Sequence, residues 1–244
     1  MVTPVEAYQH PTVLKIIKNA DKCLPNIYFT KEELISKERD LRFLDSLPHL
    51  LEVQKKGDYE RWYGEMKDMS LVPLNRCVVR GNKNYFKDEN KPFLKVLNVQ
   101  SIVNLDFIAH TKVQGKTIGF NYVFVPMNPS FYPRGESMIS FLHALTALSQ
   151  ATPESRIYLS CFHGKHRSSL LSAVHQFLLE YARFPEEACK NAAGDNDPAF
   201  IQAVELANEG ILTYNMPKSY KDFYADFTKA VCKEKSGEFL DQLL

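Results

Sequence analysis

Hydrophobic positions along this chain follow two different periods, and the most telling junction is where one gives way to the other. Arg156-Ile-Tyr-Leu-Ser160 is a short apolar run with a β-branched and an aromatic residue, preceded by the breaker Thr152-Pro-Glu-Ser155, and it predicts a strand. Beyond it, Leu170, Leu171, Val174, Phe177, Leu178 and Tyr181 recur at helical spacing and predict a buried helix beginning near Arg167. Toward the N-terminus, Thr30-Lys-Glu-Glu33 has the form of a capping box. Leu34, Leu41, Leu44, Leu47, Leu50 and Leu51 continue behind it at near-helical spacing. Asp58 to Met69, with Trp62 and Tyr63, predicts a further short helix. At the other end, Tyr220, Phe223, Tyr224 and Phe227 form the aromatic stripe of a C-terminal helix; such a stripe more often joins a core than a partner's groove.

Between the predicted strand and helix runs Ser160-Cys-Phe-His-Gly-Lys-His-Arg-Ser168. A cysteine and an arginine with this spacing are a weak signal alone, but the flanking elements change their meaning. The turn puts Cys161, Phe162, His163, Gly164, Lys165 and His166 ahead of a helix N-terminus, whose amides and dipole suit an anion. Gly164 lets the backbone adopt conformations that other residues resist. Arg167 offers a planar fork that can grip two phosphate oxygens at once. A cysteine beside a helix N-terminus and cations is held partly as thiolate, the form that attacks phosphorus. The hydroxyl of Ser168 is placed to hydrogen-bond that sulfur and ease its departure.

Strand, Cys-x-x-Gly-x-x-Arg-Ser and helix together resemble the phosphate-binding loop of the protein tyrosine phosphatase superfamily, on its compact dual-specificity side. Upstream, Arg76-Cys-Val-Val-Arg-Gly-Asn82 and then Phe93-Leu-Lys-Val-Leu-Asn-Val-Gln-Ser-Ile-Val-Asn-Leu105 are similar to the opening helix and strand of that fold. Downstream, Pro185-Glu-Glu-Ala-Cys-Lys190 and Asp197-Pro-Ala-Phe-Ile-Gln-Ala203 resemble its two closing helices. Gly164-Lys-His-Arg-Ser168 looks like the loop of plant and fungal atypical dual-specificity phosphatases, and a lysine before the arginine also occurs in the phosphoinositide branch. Leu105-Asp-Phe-Ile-Ala-His110 with Val113-Gln-Gly115 is loosely similar to the cysteine-dependent phytases.

The resemblance implies an α/β fold with a central sheet of about four or five strands flanked by helices. Residues 72–210 would form the phosphatase domain, with helical extensions over 1–71 and 211–244. It also implies hydrolysis of phosphate monoesters through a phosphocysteine, with Cys161 as nucleophile, Arg167 as transition-state clamp and Ser168 aiding breakdown of the intermediate. No metal or other cofactor enters such a mechanism. The substrate is expected to be a phosphotyrosine-type phosphoprotein, or alternatively an inositol phosphate or phosphoinositide.

Three positions depart from the family pattern. Ser160 replaces the usual histidine before the nucleophile, and Ser169 the usual glycine after Arg-Ser. The loop that should carry an aspartate as general acid reads Val125-Pro-Met-Asn-Pro-Ser130, with Asn128 in the expected neighbourhood. Losing a general acid typically costs about 10²–10⁴ in rate. The candidate substitutes are Asp106 at the end of a strand and Asp195 or Asp197 in Gly194-Asp-Asn-Asp-Pro198. Glu136 reads better as a first-turn helix residue, and Asp197 as an N-cap ahead of Pro198. With no acid at all, leaving groups that are already good, such as aryl phosphates and phosphoanhydrides, are favoured. A reading of another class is a phosphate-binding pseudophosphatase that retains the loop for recognition.

Composition adds bounds. A formal charge of +1 over 244 residues argues against an extended polyanion-binding surface, and no nucleic-acid partner is expected. Five cysteines without paired spacing suggest a reducing compartment rather than a disulfide framework. Met1-Val-Thr-Pro-Val-Glu lacks the pattern of a secretory signal and no run is long enough for a membrane span, so a cytoplasmic protein is expected.

Overall fold

The structure, a computed structural model, describes residues 10–23, 72–73, 77–82, 94, 99–106, 119–128, 132–134, 136–162, 164, 166–193 and 217–233. Near the N-terminus lie α1 (Pro11–Lys18) and the single turn α2 (Ala20–Cys23). Then come β1 (Val72–Pro73), β2 (Val78–Asn82), β3 (Val99–Asn104) and β4 (Asn121–Phe124). Helix α3 (Glu136–Leu148) precedes β5 (Arg156–Cys161), and α4 (Arg167–Arg183), α5 (Pro185–Ala192) and α6 (Lys218–Lys233) complete the order.

The five strands form one sheet in the order β1-β2-β5-β3-β4. All pairings are parallel except the short antiparallel edge of β1 on β2. Strand β5 lies in the middle, buried at every position from Arg156 to Cys161, as expected for a parallel strand covered on both faces. Its register sets the site: Leu159 pairs with Arg80 and Val103, and Cys161 with Asn82. The carboxyl ends of β3, β4 and β5 therefore converge, and in open parallel sheets that edge is where ligands bind.

Helix α4 is buried along its whole run from Arg167 to Tyr181. Helices from both ends of the chain cover it, with Val13, Ile16 and Ile17 of α1 and Tyr220, Phe223 and Phe227 of α6 sharing one apolar core with the sheet. Thr12 and Thr146 tie α1 to α3 through their hydroxyls at 2.7 Å.

Two expectations are corrected. Residues 76–82 are expected to open the domain with a helix, but Val78–Asn82 form a strand: Val78 and Val79 are β-branched and pair in register with Ile157 and Tyr158. Four of the five cysteines form disulfides, Cys23–Cys77 and Cys189–Cys232, where a reduced framework was expected. The pairs are 54 and 43 residues apart, separations that carry no local signature and meet only through topology. The predicted helices over 30–51 and 58–69, and the second closing segment 197–203, lie outside the described residues. No helix among the described residues is long and apolar enough to cross a membrane.

Candidate active site

Strand β5 delivers Cys161 as its last residue, and α4 begins six positions later at Arg167. The chain turns between them through Gly164, buried and at φ 70°, the left-handed region that a side chain resists. Cys161 is 2% exposed and is the cysteine left outside the disulfides. Its Sγ lies 3.4 Å from Ser168 Oγ. Burial pushes the thiol's pKa up. The Arg167 guanidinium, the Ser168 hydroxyl and the backbone N–H groups of Ser168 and His166 outweigh it, and the net displacement is downward. The turn thus stabilises a thiolate at the head of a helix.

Arg167 is itself buried. Its Nη1 donates to Leu105 O at 2.9 Å and to Met127 O at 3.2 Å, while Nη2 lies 3.6 Å from Asp106 Oδ1. The segments following β3 and β4 thereby fix one edge of the guanidinium. Nε is buried without a hydrogen-bond partner among the described residues. A buried donor left unpaired costs roughly 1–3 kcal/mol, a penalty that an oxyanion in the turn would relieve.

The end of β3 is ordered by Asn104, whose Oδ1 accepts from the Asp106 N–H at 3.0 Å and whose Nδ2 donates to Tyr122 Oη at 2.9 Å. Asp106, one of the three candidate acids, is 1% exposed and stands against the guanidinium. Asp195 and Asp197 lie outside the described residues, as do His163 and Lys165 of the loop. Glu136 sits exposed in the first turn of α3, where the helix dipole favours a carboxylate.

The departures acquire neighbours. Ser169 accepts a hydrogen bond from Nη1 of Arg80, a fully buried guanidinium on β2, so the residue in the family's glycine position links the first turn of α4 to the sheet. Ser160 is fully buried, and its Oγ has no partner among the described residues. The Cys161 thiol is lowered without a histidine at that position.

Sequence reasoning missed what the C-terminal helix does here. Tyr220 belongs to the aromatic stripe and is fully buried, yet its hydroxyl donates to the backbone carbonyl of Asn128. Tyr132 Oη donates to Asp226 Oδ2 at 2.7 Å, and its ring meets Phe223 edge-on at 5.4 Å. The segment in the position of the family's acid loop is therefore seated on α6. The only hint in the sequence was the polar tip of a tyrosine within an otherwise apolar stripe. Among the described residues, no three His, Cys, Asp or Glu side chains gather as metal ligands would.

A scan against protein-family models finds no match, and neither does a search of curated proteins. Solved structures do overlap. TpbA of P. aeruginosa in complex with pTyr is 13% identical, with 72% of this chain and 89% of that one covered at a TM-score of 0.41. PTPMT1 in complex with PI(5)P is 16% identical, covering 68% and 99% at a TM-score of 0.41.

Proposed function

We propose that this chain is a cysteine-dependent phosphatase of the protein tyrosine phosphatase superfamily, the superfamily of TpbA and PTPMT1. The observation that carries the reading is the buried Cys161, its pKa lowered, held at the head of α4 beside Arg167, whose Nε has no partner among the described residues. The Cys161 thiolate attacks phosphorus in line, forming the S–P bond as the P–O bond to the leaving group breaks. Arg167 and the turn's N–H groups stabilise the charge on the non-bridging oxygens, where phosphoryl transfer gains most. Water then cleaves the phosphocysteine, releasing phosphate and the thiolate, with Ser168 Oγ hydrogen-bonding the departing sulfur. In this reading the phosphate-binding loop is the sequence Phe162, His163, Gly164, Lys165 and His166. Residues 72–210 make the catalytic domain, and α1 and α6 from the terminal segments brace it.

Asp106 acts as the counter-ion that orients Arg167. Asn128 occupies the acid's neighbourhood and is not a proton donor. That favours substrates with good leaving groups, and phosphotyrosine in a protein is the leading class. Inositol phosphates and phosphoinositides are the alternative, suggested by Lys165. The two disulfides favour an oxidising compartment over the cytoplasm expected from the sequence.

The test is turnover of an aryl phosphate by the wild type and Cys161→Ser, beside a phosphotyrosine peptide and an inositol polyphosphate. Activity abolished in the variant is expected, and the better natural substrate separates the two classes. No turnover on any of them, with phosphate still bound, would favour the pseudophosphatase reading instead.

A further inference from the structure

Two consecutive carbonyls in the segment after β4 have different partners. Met127 O accepts from Arg167 Nη1 at 3.2 Å, and Asn128 O accepts from the Tyr220 hydroxyl. A continuous path of bonds thus runs from the C-terminal helix to the guanidinium. Of the two carbonyls on Nη1, Leu105 O at 2.9 Å belongs to the end of a central strand, whereas Met127 O belongs to the segment that α6 holds.

The holder is itself firmly seated. Phe223 packs edge-on against Phe141 of α3 at 5.0 Å, Tyr224 against Phe177 of α4 at 6.3 Å, and Cys232 is bonded to Cys189 of α5. Burial raises the Tyr220 phenol far above its ordinary pKa. Arg167 partly opposes this and Cys161 adds to it, so the hydroxyl keeps its proton wherever the thiolate exists. It is a permanent donor to Asn128 O. The second contact, Tyr132 with Asp226, fastens the same segment nearly two turns further along α6.

We propose that Tyr220 is a positioning residue for Arg167. By holding Asn128 O, its hydroxyl keeps Met127 O under Nη1 and fixes the plane in which the guanidinium meets phosphate. A segment that carries no acid has no need to swing, and clamping it converts it into a rigid rest for the arginine. This rests on the phosphatase reading above. A fixed guanidinium plane matters most when phosphorus becomes trigonal bipyramidal, so its loss falls on the transition state more than on the bound ester.

Tyr220→Phe removes the hydroxyl and keeps the ring. It should lower kcat and vanadate affinity by about tenfold, the scale of one hydrogen bond. KM and phosphate affinity should stay within about a factor of two. Val231→Ala, a buried position farther along the same helix, is the control: it should lower Tm at least as much while leaving kcat intact. Wild-type kinetics in Tyr220→Phe, or an equal loss of kcat in Val231→Ala, would overturn the proposal. If the wild type turns over no phosphate ester, the phosphatase reading fails. The vanadate-to-phosphate affinity ratio by calorimetry, wild type against Tyr220→Phe, then still decides the positioning role. A wild type that binds neither anion overturns both.

Discussion

In the proposed mechanism, the contact of 3.4 Å between Cys161 Sγ and Ser168 Oγ would serve two steps that pull on the same atom. Before attack, the hydroxyl would help stabilise the thiolate; afterwards, it would stabilise the sulfur as it leaves phosphorus. Ser168→Ala removes one of the contributions that lower the thiol's pKa, so the thiolate forms at higher pH. The acid limb of kcat/KM should move upward. Hydrolysis of the phosphocysteine should slow by roughly 10- to 100-fold, the range for a hydrogen bond to a charged group. A pH profile reads the first effect and a burst of released aryl alcohol the second. An unmoved limb would mean that the serine is scaffolding only. At this scale, Cys161, Arg167 and Ser168 were legible because they lie within seven positions of one another. Arg80 with Ser169 and Tyr220 with Asn128 were not, being 89 and 92 positions apart. No local pattern links residues that only the sheet and the last helix make neighbours.

Periodicity located β5 and α4 correctly and marked α4 as buried. The apolar positions from Leu170 to Tyr181 carried that reading, and Ser172, His175, Gln176 and Glu180 lie between them. All four are buried, because helices from both chain ends close over them. Gln176 Nε2 and Glu180 Oε1 satisfy each other at 3.0 Å. His175 Nδ1 has no partner among the described residues, and burial lowers the pKa of the ring to about 4 from the ordinary 6.5, so it is neutral in the folded protein at neutral pH. The unfolded chain binds a proton near pH 6.5 that the folded state refuses until near pH 4. Stability therefore falls as pH drops through that window, by on the order of 3 kcal/mol once complete. His175→Leu removes the titrating group. Its urea midpoint should change less between neutral and acidic buffer than that of the wild type. Equal acid sensitivity in the two would assign the effect to other groups.

At the scale of the molecule, each end of the chain is fastened to the layer it covers by one covalent bond. Cys23–Cys77 joins the N-terminal helices to the start of β2, and Cys189–Cys232 joins α6 to α5. Counting cysteines misled here because an odd total without paired spacing suggested no disulfides, when it is two long-range pairs plus the free Cys161. Closing loops of 54 and 43 residues stabilises the fold by about 4 kcal/mol each in the chain-entropy view. Denatured but unreduced protein should show the thiol of Cys161 alone to a thiol reagent, and all five cysteines after reduction. Both Cys23→Ser with Cys77→Ser and Cys189→Ser with Cys232→Ser should lower Tm. Their effects on catalysis should differ. Only the second pair anchors the helix that carries Tyr220, so its removal should lower kcat on an aryl phosphate in the folded protein, well below Tm. Removal of the first should leave kcat unchanged. Equal kcat in the two double variants would mean that the aromatic packing of Phe223 and Tyr224 seats α6 without help. A melt indifferent to reductant would mean that the bonds do not form in solution.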